Sequence, residues 1–375
     1  MTAGVSDDLL TAALGAEEIG LLREGLQAVF VKSGDTDSLA AALVDLGWDD
    51  VVAQVPEAVA LLFEEQGYGG AASGLLDAVV LTAAGLGDLP GAAIVYPLPG
   101  PGGLFDPAAG TADGRLDFAG VARANGSGSI PETLIVPVVA DRQTTLVRIA
   151  GSALTPRPIG GLDPDGGWLE VTGTVPLDQS ATLAVSPEGW VTAVAAGRRA
   201  LSAELLGIAR RALEVAVQTV TARHQFGRAV GSFQAVRFRL ADAKVAIESA
   251  ADLLRLAFRD TDPLAAATAK ALAGAAADTT LRQAMQVCGA MGLTWEFPLH
   301  HGYRRATALD GLLGDTDNLT TAIGRYIGTG PTLPQLEPFG KGNGCRATHA
   351  PNSGSGSPKC PAPTPATPTN RPGGR

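Results

Sequence analysis

The chain has 375 residues, of which 46% are hydrophobic and only 18% charged, and its formal net charge is −10. That length and apolar content suffice for two or three packed units, and an acidic chain is a poor match for a polyanion, which excludes nucleic acid as a partner class. The charge is uneven: residues 331–375 hold five Lys or Arg and one Glu, a net of +4, leaving −14 on the rest by subtraction.

The cysteines are Cys288, Cys345 and Cys360, an odd count with no CxxC, so neither a disulfide framework nor a cysteine metal site is read. The opening MTAGVSDDLL lacks a basic stretch followed by an apolar core, so it does not read as a secretory signal. No apolar run reaches the length of a membrane span. These readings point to the cytoplasm.

In chain order, residues 1–92 read as helical. DDLLTAALGAEEIGLLREGLQAVF and DSLAAALVDLGWDDVVAQVPEAVALLFEEQ repeat apolar residues every three or four positions, with a start at Asp37-Ser38 and an end at Gly47. From 93 to 196 the texture changes to short β-branched runs such as TLIVPVV, TTLVRIA, WLEVTGTV and WVTAVAA, separated by Gly, Pro, Asp and Asn. That spacing predicts a β-barrel or sandwich unit. Helices return over 197–330. Leu201, Leu205, Ile208, Ala212 and Val215 mark one face of the first, and Gly231-Ser232 opens the second. Asp262-Pro263 caps a third rich in small residues, and a fourth covers Thr316–Ile327. Residues 331–375 hold 10 Pro and 7 Gly and cannot bury a core, which reads as a disordered tail.

Two stretches invite chemistry. In RHQFGRAVGSFQAV, residues 223–236, a long helix ends at an arginine and a glycine turn. Arg223 offers a planar fork suited to phosphate, but Arg223 and Arg228 equally suit a helix C-terminus. In QAMQVCGAMGLTWEFPL, residues 283–299, a helix ends in nearby glycines that either free backbone for a ligand or simply cap it. Among ionisable groups, His224, His300, His301 and His349 have no metal-ligand spacing, so no metal site is expected. Asp310, Asp315 and Asp317 cluster at the last helix start, where capping is the ordinary role. Glu204 borders an apolar stripe, where an ion pair with Arg210 or Arg211 competes with a role as base. No dinucleotide fingerprint, Walker loop or nucleophile elbow is present.

Taken together, RHQFGRAVGSFQAVRFRLADAKVAIESA and QVCGAMGLTWEFPLHHGYRRA, with the helix–strand–helix order, resemble the acyl-CoA dehydrogenase family over residues 1–328. The resemblance implies an α+β fold with an N-terminal helical domain, a middle β-barrel domain and a C-terminal four-helix bundle. It implies a flavoprotein that binds FAD and acyl-CoA and desaturates the thioester between its α and β carbons. A carboxylate takes the α-proton, the β-hydrogen leaves as hydride, and electrons pass on to an electron-transferring flavoprotein. The family residues matching Arg223 and Phe226 support the FAD diphosphate and adenine across a subunit interface. Those matching Phe233 and Gln234 also meet FAD, and those matching Gln286, Gly289 and Ala290 hold the ADP part of a neighbour's FAD.

Three departures stand out. Ala290 replaces a family glycine. YPLPGPGGLF at 96–105 replaces the run that contacts flavin and substrate. The two family positions for the base fall on Leu313 and Gly197, neither able to accept a proton, which leaves Asp310, Asp315 and Glu204 as the nearest substitutes. The resemblance therefore implies an oligomer, with this chain as a catalytic subunit or as a base-less subunit beside a paralogue. A non-flavin acyl-CoA binding protein is the remaining alternative.

Overall fold

The computed structural model describes residues 4–329, apart from 33–35, 88, 90, 99–103, 105–108, 126–127, 141–142, 155, 178–179, 184 and 187. The Pro-rich stretch 331–375 and most of 96–105 lie outside the described residues. The described residues form one compact unit.

Among the described residues six helices come first: α1 (Asp7–Leu10), α2 (Ala16–Lys32), α3 (Thr36–Asp45), α4 (Trp48–Gln54), α5 (Val59–Gly69) and α6 (Leu75–Ala83). They agree with the helical reading of 1–92, and Gly47 separates α3 from α4 as the sequence predicts. The strands are β1 (Ala93–Ile94), β2 (Tyr96–Pro97), β3 (Ala109–Ala112), β4 (Arg115–Arg123), β5 (Thr133–Ala140), β6 (Gln143–Ala150), β7 (Arg157–Pro158), β8 (Trp168–Pro176) and β9 (Ala181–Thr182).

The strands make one mixed sheet rather than two facing ones. Its hydrogen-bonded path runs open, β7-β8-β4-β3-β5-β6-β9, with β1 added to β5 and β2 added to β4. Alternation divides the sheet's residues. Leu116, Phe118, Val136, Val138, Val147, Ile149, Val171 and Val175 form a core of their own. Tyr96, Val121, Ile135, Leu146 and Trp168 pack into the larger helical core.

The second helical part begins with α7 (Gly189–Ala222), followed by a two-stranded hairpin, β10 (His224–Gln225) and β11 (Arg228–Ala229). Then come α8 (Gln234–Asp260), α9 (Pro263–Cys288), α10 (Pro298–Asp310) and α11 (Thr316–Gly328). The predicted stripe of α7 is buried throughout, and Asp262 caps α9 by accepting from the Leu264 amide at 2.9 Å. Two expectations need correction. WVTAVAA is not a strand but the first turns of α7, where Trp190, Ala193 and Val194 are buried at helical spacing. One helix is missing from the residue-by-residue reading, because PLHHGYRRATALD forms α10 between the third and fourth helices it places. Its buried Leu299, Arg305, Ala306 and Leu309 fall on one face, diluted in sequence by His and Arg.

α5 crosses α7 backbone to backbone. A Cβ on Gly67 would lie 2.1 Å from the Glu204 carbonyl oxygen, and one on Gly207 would lie 2.0 Å from that of Glu64. Beside this crossing, Arg210 bridges buried Glu64 and Glu65 at 2.6 Å each, and Glu65 also pairs with Arg23. Arg210 is therefore committed to α5 and not to Glu204.

Candidate functional site

The first candidate region lies where α7 and α9 end together. Arg223 caps α7 in an extended conformation, and the chain reverses through Phe226 (φ +54°) and Gly227 (φ +78°). Positive φ at both central residues is the two-residue turn whose twist suits a hairpin. The hairpin is closed by the Val230 amide donating to the Arg223 carbonyl at 2.8 Å. Phe226 is 92% exposed, and its ring stands edge-to-face with Phe233, ring centres 6.3 Å apart. The Arg228 guanidinium covers the other ring at 4.0 Å. Phe233 then precedes Gln234, the exposed first residue of α8.

Arg223 reaches the end of α9. Its Nη1 donates to the Cys288 carbonyl at 3.3 Å, bridging 65 residues of sequence. Gly289 follows at φ +68°, ψ −150°, backbone that glycine alone adopts cheaply. A Cβ there would sit 3.8 Å from Arg223 Nη1. Arg223, Ala290, Met291, Thr219 and Ala222 line an open depression of about 550 Å³. Gln286 is exposed on the last turn of α9. The structure thus gathers Arg223, Gly289 and Ala290 into one place, and Phe226, Phe233 and Gln234 into the adjoining hairpin. An arginine fork beside exposed backbone suits a diphosphate.

The second region holds the two positions where a base would be expected. Leu313, in the turn between α10 and α11, is buried and takes φ +56°. Its Cδ1 lies 2.5 Å from where a Cβ on Gly197 would be, with Val80 Cγ2 at 2.9 Å and Leu76 Cδ1 at 3.7 Å from the same point. The space is filled by hydrocarbon. Two buried cations hold the turn by its carbonyls. Arg198 Nε donates to Leu313 O at 2.9 Å and its Nη2 to Leu104 O. Lys270 Nζ donates to Asp310 O at 2.9 Å and Gly314 O at 3.4 Å. Burial pushes the Arg198 guanidinium down to about 10 and also lowers the Lys270 ammonium, although Asp310 opposes the latter.

The substitute carboxylates are all engaged. Asp310 pairs with Lys270 at 3.4 Å and accepts from the Thr316 amide and hydroxyl at 3.2 and 2.9 Å. Asp315 caps α11 by accepting from the Asn318 amide at 2.9 Å, the ordinary capping role. Glu204 is deeply buried, not a surface ion-pair residue. It accepts from Arg305 Nη2 at 2.5 Å and Nε at 3.1 Å, while Asp163 takes Arg305 Nη1 at 3.4 Å. The predicted pairing of Glu204 with Arg210 or Arg211 fails because its partner comes from α10, a helix absent from the sequence reading.

Sequence reasoning missed three interior groups. Asp77 on α6 accepts from the Tyr96 hydroxyl at 2.7 Å and the Ile94 amide at 3.3 Å. Burial pushes its carboxyl up to about 6, against the pull of Tyr96, Ile94 and Arg123. Lys270 and Arg305 are the others. Asp77 in GLLDAVVL and Lys270 in ATAKALAG are lone charges inside apolar runs, and that was the available signal. Among the described residues no cluster of His, Cys, Asp and Glu could hold a metal, and no helix is long and apolar enough to cross a membrane.

Residues 189–328 match the family description "Acyl-CoA dehydrogenase, C-terminal domain". The chain is 28% identical over 310 residues to acyl-CoA dehydrogenase IpdE2 of Mycobacterium tuberculosis, covering 77% of this chain and 91% of that protein. The fold is similar to a solved Tcur3481-Tcur3483 steroid ACAD variant, with TM-score 0.69, 22% identity and coverage of 84% and 98%. It is also similar to the ChsE4-ChsE5 complex from Mycobacterium tuberculosis, with TM-score 0.66, 20% identity and coverage of 88% and 99%.

Proposed function

We propose, from the premise that this chain belongs to the acyl-CoA dehydrogenase family, that it is a subunit that helps build an FAD site without supplying the catalytic base. The observation that carries this reading is the contact of Leu313 with Gly197. A base must reach the substrate's α-proton, and both positions from which the family would extend a carboxylate are here occupied by groups that accept no proton. The space between them is filled as well. Asp310, Asp315 and Glu204 are each held by cations or backbone amides, which supports the same conclusion.

The C-terminal residues that would meet the flavin's nucleotide end are present, although the run at 96–105 departs from the family. Arg223 would hold the diphosphate, Gly289 would let it approach the backbone, and Phe226, Phe233 and Gln234 would border the remainder of the nucleotide. When bound, FAD supplies the acceptor for the β-hydride of an acyl-CoA. In this reading the carboxylate that takes the α-proton belongs to a paralogous subunit, and reducing equivalents leave to an electron-transferring flavoprotein. Two structural neighbours, named as Tcur3481-Tcur3483 and as a ChsE4-ChsE5 complex, lend the two-chain arrangement support by analogy.

The test is co-expression with a paralogous subunit, followed by flavin absorbance and acyl-CoA turnover of the complex and of this chain alone. We expect turnover only in the complex, and Arg223→Ala should strip flavin from it while leaving the chain's thermal transition in place. Turnover by this chain alone would overturn the base-less reading. Unchanged flavin content in the Arg223→Ala complex would overturn the cofactor assignment.

A further inference from the structure

A groove of about 730 Å³ opens on the other side of α6 from the Leu313–Gly197 contact. On α6, buried Leu76 and Val80 face Gly197, whereas Leu75, Val79 and Ala83 line the groove. On α7, Gly197 faces Leu313, while Ala196 and Arg199 line the groove. The groove is therefore separate from the place where a base would be expected. Its volume lies in the range of small-molecule sites, and its walls are mostly apolar. Leu43 of α3, Trp48 and Val52 of α4, Val79 of α6 and Phe258 of α8 supply them.

One cation is set into this wall. Arg199 lies over the Phe258 ring at 5.5 Å, and its Nη1 is buried with no hydrogen-bond partner among the described residues. Burial lowers its guanidinium below the usual range. Among the described residues the carboxylates on the groove are Asp49, which is exposed, and Glu57, and neither pairs with Arg199. No carboxylate pairs with the Arg199 guanidinium among the described residues, and an anion in the groove is the charge that complements it. The groove thus combines a long apolar surface with a single unanswered cation.

We propose that this groove binds a free long-chain carboxylate, its hydrocarbon along α3, α4 and α6 and its headgroup on Arg199. The site needs neither flavin nor a partner subunit, so its test is independent of the function proposed above. The experiment is calorimetric titration of the full-length chain with palmitate, and with hexadecanol as the uncharged counterpart, for the wild type, Arg199→Met and Val79→Trp. The thermal transition of each variant is recorded first. We expect one palmitate per chain, binding weakened roughly tenfold or more in Arg199→Met, and binding lost in Val79→Trp, which fills the groove. Hexadecanol should bind more weakly than palmitate. Equal affinity of wild type and Arg199→Met for palmitate, or hexadecanol binding as tightly as palmitate, would overturn the proposal. If Arg199→Met does not fold, palmitate binding unchanged by Val79→Trp overturns it alone.

Discussion

Leu313 and Gly197, 116 positions apart in the chain, are in contact: the leucine's Cδ1 occupies the space a side chain on the glycine would need. The contact is locked from behind by Arg198 and Lys270, which hold the backbone of the leucine's turn. Adding a methyl at Gly197 is therefore an overpacking change. Gly197→Ala should destabilise the chain by about 1–3 kcal/mol, and Leu313→Ala in the same chain should restore part of that loss. Denaturant midpoints of the two single variants and the double variant check the coupling, and strictly additive losses would show that the residues do not touch.

The turn's dependence on Lys270 is separately testable. Its ammonium is fully buried and answers two carbonyls and one carboxylate. Lys270→Met keeps the volume and removes the donors, leaving Asp310 O and Gly314 O short of a partner. A loss of about 3 kcal/mol is expected, read as a lower denaturant midpoint.

Glu204 tests the difference between a base and a structural ion. Glu204→Gln keeps an acceptor oxygen but removes the charge, leaving Asp163 as the only carboxylate paired with Arg305 among the described residues. We expect about 3 kcal/mol of destabilisation. In an assembled enzyme the pH profile of turnover should stay where it was, because the charge removed was never available to a substrate. A displaced profile would instead mark Glu204 as a participant.

Asp77 supplies the pH dependence. Its folded value of about 6 stands above the ordinary 3.8, so the folded chain holds this proton more tightly than the unfolded chain. That contribution is fully present below about pH 4 and is lost as pH rises through about 6. Wild type should therefore lose stability relative to Asp77→Asn between pH 4 and 7, by on the order of 3 kcal/mol. Chemical denaturation of both proteins across that range measures it, and parallel curves would contradict the assignment.

The sequence was most informative where a rule acts locally. Helical periodicity located α7 to α9 and the cap at Asp262, and the glycine turn at Phe226-Gly227 was legible from its letters. Gln286, Gly289 and Ala290 were readable as a helix end. The failures came where long-range packing decides. WVTAVAA has strand-like composition, yet it is helical because Trp190 and Val194 are buried together in the helical core. α10 was hidden because its buried face includes an arginine whose carboxylate partners lie 101 and 142 residues away. No local pattern reveals that Glu204 answers Arg305. Nor could spacing show that the two positions lacking a base are neighbours.

The crossing of Gly67 and Gly207 bears on how this protein tolerates change. Each glycine faces the other helix's carbonyl at a distance no β-carbon survives. At most interior positions a side chain can be trimmed or enlarged by degrees, with neighbours adjusting. Here the joint between the first helices and the long one has no side chain to adjust, so its tolerance is all or none. A substitution at either glycine must move a whole helix, and with it Glu64, Glu65 and the ion pairs that Arg23 and Arg210 make to them.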